Sequence, residues 1–296
     1  MSDGERDPDP AFRRRQLAKA LRRARAAAGL TQAEASRAMD WSESKLLRFE
    51  AATVTISTND LRALLALYTV DPAGVALLVE LVRAARKPSP WAAFKDVAPP
   101  ECLAFLANES SAVIVRSFDP LLVPDLLQTE EYARAVIEVQ EAESPDRVDS
   151  LVDLRVQRQE VLVRQPETEL HFILDEAVIH RVVGDRTTTV RQLHQILEIA
   201  EYPNVTIRVV PFSAGMYARL RAPYVLFEFA DNGDEDVLYL EGPLGNYVMR
   251  ESGPGDRDRS SAAGPEAFLE EFWRMERRAD RADLTRMARA VLSELT

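Results

Sequence analysis

The sequence predicts an all-α head followed by an α+β domain, and three observations carry that prediction. Over residues 11–87, short apolar stripes recur at helical spacing and are punctuated by capping residues and glycine. From Leu170 onward the helical period gives way to short runs rich in β-branched and aromatic residues, bounded by Pro, Gly, Asn or Asp. Between the two lies KPSP, whose Pro88 and Pro90 disfavour helix and mark a linker. A chain of 296 residues has room for a small head and one larger domain with its own core. The expected division is a head at 11–87, a linker at 88–99 and a larger domain at 100–296.

In the head, Leu17, Leu21, Ala24 and Ala28 fall on one helical face, and Gly29 supplies the residue that most easily ends a helix in a left-handed conformation. Thr31 followed by Glu34 is a capping box that starts a second helix running to Met39. Asp40 and Trp41 make a short turn, and Ser42 can cap a third helix whose Leu46 and Phe49 face back toward Ala35, Met39 and Trp41. Two short helices joined so tightly must cross steeply, and Ser36 is the small residue their contact needs. Ser57 opens a helix through Leu61, Leu64, Leu65 and Tyr68, and Pro72 opens one more that ends before Lys87. The head therefore reads as five helices with a helix-turn-helix at its centre.

Gln32 through Phe49 resembles the lambda-repressor-like helix-turn-helix regulators, the Xre or Cro type, and the likeness extends from Leu17 to about Tyr68. It implies that Gln32 touches a DNA phosphate, that Glu43, Ser44 and Arg48 project toward base edges, and that Ser42 and Lys45 contact the backbone. The side-chain chemistry agrees, since Arg reads guanine, Glu can accept from cytosine and Ser is permissive. Asp40 departs from the glycine usual in that turn, at some cost in a positive-φ conformation.

Charge is divided in the same way. The chain carries 37 basic and 48 acidic side chains, net −11, which on its own argues against nonspecific binding to nucleic acid. Residues 11–56 reverse this with ten basic and four acidic side chains, while residues 88–296 carry −15. Arg13, Arg14 and Arg15, placed just ahead of the first helix, either reach phosphate or a minor groove or form a solvated helix start.

The larger domain opens with apolar helical spacing at 101–117 and 129–139, separated by DPLLVPDLLQ, whose two prolines force a bend. Residues 145–164 make an amphipathic helix through Val148, Leu151, Leu154 and Leu162. LHFILDEAV, VTIRVVPF, YVLFEFA and DVLYLE read as strands, NYVMRE as a weaker fifth, and VRQLHQILEIAEY as a helix between the first two. These runs give a small mixed or antiparallel sheet packed with helices, without fixing the strand order. Residues 252–265 have the composition of a mobile loop, and 266–296 return to helix with a break near Asp280 and Asp283.

The segments LVPDLLQTEEYARAVI, LRVQRQEVL, LDEAVIHRVVG, QLHQILEIAEYPNVTIRVVP and VLYLEG, in that order, are similar to the C-terminal domain of unknown function found in actinobacterial helix-turn-helix regulators. The similarity spans about residues 91–292, with Asp125 where the pattern prefers glycine. That resemblance implies regulation, with this domain sensing a small-molecule effector or binding a partner. A small acidic protein is often encoded beside such regulators.

Arg155, Arg158 and Gln159 share one helical face, and Asp175, Glu176 and Glu241 lie at strand ends, so an ion site is conceivable; an ion-pair network joining helix to sheet is the simpler reading. The candidate ligand or partner surface comprises Arg155, Arg158, Gln159, Glu176, Glu241 and the loop Ser213–Pro223 with Tyr217. His171, His180 and His194 have no zinc-ligand spacing, and the single cysteine, Cys102, excludes an intramolecular disulfide and any multi-thiolate zinc site. Cys102 reads as a buried small hydrophobe. No P-loop, GxSxG or GxGxxG pattern occurs, so neither catalytic residues, nor a cofactor, nor a metal is expected. No apolar run approaches the ~20 residues that span a bilayer, and the N-terminal stretch lacks an apolar signal core. The sequence thus leads to the expectation of a cytoplasmic, homodimeric regulator of transcription that reads an inverted-repeat operator in double-stranded DNA. The alternative is an antitoxin-like interaction module that autoregulates its own operon with a small acidic partner.

Overall fold

The computed structural model describes residues 8–142, 144–218, 220–230, 236–240, 247–250, 264–279 and 281–295. It divides into two compact units, 1–93 and 94–296.

Among its described residues the first unit has five α-helices. Helix α1 (Pro10–Ala27) starts earlier than the apolar stripe suggests, because Asp9 caps it by accepting from the Ala11 amide at 2.7 Å and Pro10 occupies the first turn. Arg13, Arg14 and Arg15 consequently lie within α1, not on an arm ahead of it. Gly29 closes the helix at φ +70°, as a left-handed cap requires. Helix α2 (Gln32–Ala38) begins with the expected capping box, in which the Thr31 hydroxyl accepts from the Glu34 amide and the Glu34 carboxylate accepts from the Thr31 amide. Asp40 does take a positive φ, 55°, and the turn closes when the Trp41 amide donates to the Ser36 carbonyl at 2.8 Å.

Ser42 stands at the N-cap of α3 (Glu43–Glu50), but its hydroxyl pairs with that of Ser44 at 3.1 Å and makes no capping bond. Helix α4 (Thr58–Leu67) is capped by Ser57 and α5 (Pro72–Ala84) by Asp71. Leu21, Ala35, Leu46, Leu61, Leu64, Leu65 and Val82 are each fully buried and form one core. Beyond α5, Ser89 donates to Asp9 at 2.7 Å, and residues Pro90–Phe94 form a 3-10 turn that buries Trp91.

Among its described residues the second unit has a six-stranded mixed sheet between two helical layers. In chain order it contains α6 (Pro100–Glu109), β1 (Ile114–Asp119), α7 (Glu130–Gln140), α8 (Val148–Arg158), α9 (Val161–Arg164), β2 (Glu169–Asp175), α10 (Glu176–His180), α11 (Arg186–Ile199), β3 (Val205–Val210), β4 (Tyr224–Glu228), β5 (Val237–Leu240), β6 (Tyr247–Arg250), α12 (Pro265–Glu276) and α13 (Arg281–Leu295). The spatial order is β3-β2-β1-β4-β5-β6, with β1, β2 and β3 parallel and the remaining pairings antiparallel.

Strand β1 corrects the helix expected over 101–117. Residues 114–119 pair with β2 on one side and β4 on the other, and a central strand buried on both faces lacks the polar alternation that distinguishes it from a helix. The helix expected over 145–164 is broken after Arg158 into α8 and α9. Positions 252–263 and Asp280 lie outside the described residues.

The strand period of two sends alternate residues to opposite faces. Val115, Phe172, Leu174, Val209 and Phe227 meet one layer that includes α7, α11 and α13, and Phe118, Ile173, Leu226 and Leu238 meet α12 through Phe268, Phe272 and Met275.

Candidate nucleic-acid interface and an interior cavity

The exposed end of α3 carries the residues that the sequence assigns to DNA. Glu43, Ser44 and Arg48 are all exposed. Lys45 holds its ammonium 4.0 Å above the Trp41 ring and 3.3 Å from the Asp60 carboxylate. Trp41 in turn packs edge-on against Phe49, so the turn and α3 are locked by one aromatic contact.

Behind this end sits a buried carboxylate that the sequence reading missed. Glu50 is 2% exposed and accepts from Nε and Nη2 of Arg25, at 2.7 and 3.1 Å, and from the Gln32 amide at 2.7 Å. Arg22 donates to the Glu50 carbonyl, and Arg25 also donates to the Leu30 carbonyl at 2.8 Å. Glu50 therefore ties α1, α2 and α3 together at one point. Its bond and charge raise Arg25 above its ordinary value in spite of burial. Burial first, and the Glu50 charge second, push the nearby Tyr68 hydroxyl up to about 12. The sequence signal was available: Arg25 and Gln32 flank the first turn, and Glu50 is the last α3 residue, one place beyond the core Phe49.

In the larger unit, a cavity of about 380 Å³ lies between the sheet and the helices above it. Its floor is Val115, Ser117 and Asp119 of β1, Phe172 of β2, Val225 of β4 and Tyr239 of β5. Cys102, Phe105 and Glu109 come from α6, one helical turn apart, and Leu151, Leu154, Arg155 and Arg158 from α8 in the same way. Pro124, Asp125 and Leu126 close one side.

An ion-pair cluster forms part of that wall. Arg158 gives Nε and Nη2 to the two oxygens of Glu109, each at 2.9 Å, and Nη1 to Asp125 at 2.7 Å. Arg155 donates to the Gln128 side chain at 3.0 Å and lies 3.3 Å from Asp125. Gln159 donates to the Gln128 carbonyl at 2.5 Å, and Gln192 of α11 holds the Leu127 carbonyl at 2.7 Å. The cluster joins α8 to α6 and to the turn at 125–128, where the sequence reading had placed a link from helix to sheet. Burial opposes ionisation here, but Arg155 and Arg158 outweigh it and hold the Asp125 carboxyl below the usual range. Burial likewise pushes the Cys102 thiol up; Cys102 is half-buried on the cavity wall and not sealed in a core.

The candidate ligand residues do not all converge on this cavity. Arg155 and Arg158 line it; Gln159 braces the turn behind them. Tyr217 is buried on the opposite face of the sheet, where its hydroxyl donates to Asp175 at 2.6 Å. Glu176 accepts from the Phe212 amide at 2.6 Å and stands 3.4 Å from His180. Glu241 lies outside the described residues. Among the described residues no group of His, Cys, Asp and Glu could hold a metal ion, and no helix is long and apolar enough to cross a membrane.

A capped helix pair joined by a short turn on a basic head is the arrangement of a helix-turn-helix domain, the class of fold found in DNA-binding regulators. Residues 16–78 match the helix-turn-helix domain family, and residues 103–262, more than half of the chain, match a domain of unknown function, DUF5753. The chain belongs to the DUF5753 family. No curated protein and no solved structure matches it.

Proposed function

We propose that this protein is a sequence-specific, homodimeric regulator of transcription in the cytoplasm, whose larger unit senses an effector and contributes the dimer contact. The observation that carries the reading is the end of α3: Glu43, Ser44 and Arg48 are exposed on a helix clamped from behind by Glu50, within a stretch of ten basic and four acidic residues. Helix α3 lies in the major groove, with Arg48 and Glu43 reading base edges and Ser44 adding a permissive contact.

Gln32, Ser42 and Lys45 position the head on phosphates. One amide hydrogen of Gln32 is taken by Glu50, which orients the other toward DNA. Lys45 can exchange Asp60 for a phosphate at little cost, because exposed ion pairs contribute about 0–1 kcal/mol. Dimer symmetry places two half-sites about one helical turn apart in an inverted repeat.

The larger unit holds a cavity and a neutralised ion cluster, which supports recognition of a guest and not turnover of a substrate. The −15 charge of residues 88–296 works against a small acidic protein as its partner and in favour of a small molecule. Arg48→Ala is expected to lower affinity for the mapped operator by about 1–3 kcal/mol and to relax preference at one base position, whereas Lys45→Ala weakens all sequences alike. Footprinting and titration check both, and an Arg48 variant that binds the operator as tightly as wild type refutes the placement of α3.

A further inference from the structure

The floor of the cavity is one row of the sheet. Phe172 of β2, Ser117 of β1, Val225 of β4 and Tyr239 of β5 stand side by side across four strands, and all four line the space. Ser117 is the one small side chain in that row, so the floor dips between Phe172 and Val225 and leaves volume that a larger residue would fill. The dip stands where the strand order reverses: from β1 the sheet runs outward through β2 and β3 on one side and through β4, β5 and β6 on the other. Open α/β sheets receive ligands beside such a reversal, at the carboxyl end of the strand, and Asp119 at the end of β1 is on the wall.

The charged groups of the wall are already engaged with one another or with residues behind them. Arg158 holds Glu109 at 2.9 Å and Asp125 at 2.7 Å, and Arg155 lies 3.3 Å from Asp125 and donates to Gln128 at 3.0 Å. Arg147 donates to Glu141 at 2.8 Å, and Asp119 accepts from the Ser117 hydroxyl at 2.6 Å. A guest carrying charge of either sign would leave water and recover its solvation only by breaking one of these bonds, so charge on the guest is penalised.

The apolar wall remains for it. Phe105 of α6 meets Tyr239 edge-on at 4.8 Å, Phe172 lies in the floor, and Leu151 and Leu154 face them from α8. Aromatic rings on two sides favour a further ring, which gains from edge-on or offset contact beyond the area it buries. The volume, about 380 Å³, falls at the small end of the ~300–1,000 Å³ typical of ligand sites and limits the guest to a small molecule. We infer that the cavity binds an uncharged, largely apolar ring compound, seated over Ser117 between the floor row and α8. This assignment rests on the sensing role proposed for the larger unit and adds the chemical class of the effector.

Cys102, the single cysteine of the chain, lines the cavity and reports its occupancy. The full-length protein is treated with dithiodipyridine in the presence of 2-naphthylmethanol, of the cation 2-naphthylmethylamine or of the anion 2-naphthoate, three probes of one size, with melting temperature read in parallel. The alcohol, at about four times its dissociation constant, is expected to slow Cys102 modification about fivefold and to raise the melting temperature, and the two ions at the same concentration to do less. Ser117→Leu fills the dip and is expected to abolish the rise in melting temperature. Should that variant not fold, Leu151→Trp fills the space from the helical side and replaces it, and should neither fold, the three probes on wild type decide alone. Protection by either ion equal to that by the alcohol, protection by none of the three, or a rise in melting temperature that persists in the filled variant overturns the inference. Operator affinity in the same samples separates the two readings. Protection of Cys102 without any change in operator affinity keeps the site and removes the sensing role, whereas a change in operator affinity without protection removes the site and keeps the role.

Discussion

Each unit of the molecule holds a charged side chain at the centre of a hydrogen-bonded cluster, and the two centres have opposite sign. In the head the centre is a carboxylate, Glu50, which gathers Arg25 from α1 and Gln32 from α2 onto the end of α3. In the larger unit it is a guanidinium, Arg158, which gathers Glu109 from α6 and Asp125 from the turn ahead of α7. A charge taken out of water is tolerated only while it is paired and hydrogen-bonded, so both centres fix the elements around them. They differ in what lies next to them. Glu50 is packed among helices that carry the exposed Glu43, Ser44 and Arg48 on the outside, whereas Arg158 and its partners line a cavity. The same chemistry thus serves rigidity in one unit and, in the other, bounds a space that a guest can occupy.

The sharpest way to break that comparison is to remove the two centres. Arg158→Met leaves the buried Glu109 without its cation and Asp125 with Arg155 alone, and is expected to destabilise the larger unit by about 3–5 kcal/mol in denaturant unfolding. Glu50→Gln keeps the shape and leaves Arg25 unpaired. The Arg25 side chain is 18% exposed, so water compensates part of the lost charge and about 2–3 kcal/mol is expected. If the Glu50 variant proves the more damaging of the two, the larger unit's cluster is not the tighter constraint. A loss below about 1 kcal/mol for Arg158→Met would remove its structural role altogether.

The head was legible in the sequence because its signals are local. The Thr31–Glu34 box, Gly29 and the cap at Ser57 each act within three or four residues, and each appears in the structure as bonds of that range. Asp9 was overlooked, and with it the first turn of α1, because the residues after it carry arginine where the apolar stripe would continue. Strand β1 was read as helix for a different reason: its partners Glu169–Leu174 and Tyr224–Glu228 lie far along the chain, and nothing in IVRSFD itself shows them. The cavity shares that difficulty. Cys102, Phe105 and Glu109 make a mixed polar and apolar stripe on α6, as do Leu151, Leu154, Arg155 and Arg158 on α8, but only tertiary structure turns the two stripes toward one space. Arg158 was singled out from its charge and from the helical face it shares with Arg155 and Gln159; that its donors point inward to Glu109 and Asp125 could not be read from spacing.

Asp125 sharpens the comparison at smaller amplitude, because it is held by both arginines of the cluster. Its carboxyl is held below the usual range, burial notwithstanding, by Arg155 and Arg158. A carboxyl whose value falls on folding contributes stability above its unfolded value of about 3.9 and loses it as the pH falls through the folded value. Wild type is therefore expected to lose more stability than Asp125→Asn as the pH drops below about 4, so that the difference between them narrows in acid. Unfolding curves measured across that range check this. Two profiles that stay parallel would show that Asp125 is not ionically coupled to the arginines.

The smallest effect expected concerns the backbone, where the two units also differ. Among the described residues, positive φ falls on glycine alone in the larger unit, at Gly184 and Gly215, whereas the head places Asp40, Ala52 and Thr69 there as well as Gly29. Ala52, at φ 58°, ends α3 while the amides of Ala52 and Thr53 donate to the carbonyls of Phe49 and Arg48 at 3.2 and 3.1 Å. A side chain at that φ costs about 1–2 kcal/mol through contact of Cβ with the backbone. Glycine removes the contact but adds freedom to the unfolded chain, which offsets part of the gain. Ala52→Gly is thus expected to stabilise the head by about 0.5–1 kcal/mol, a rise of a few degrees in its melting transition, with both closing hydrogen bonds kept. An unchanged or lower melting temperature would show that unfolded-state freedom outweighs the strain at the end of α3, and that the head's tolerance of non-glycine helix ends carries no penalty relative to the larger unit.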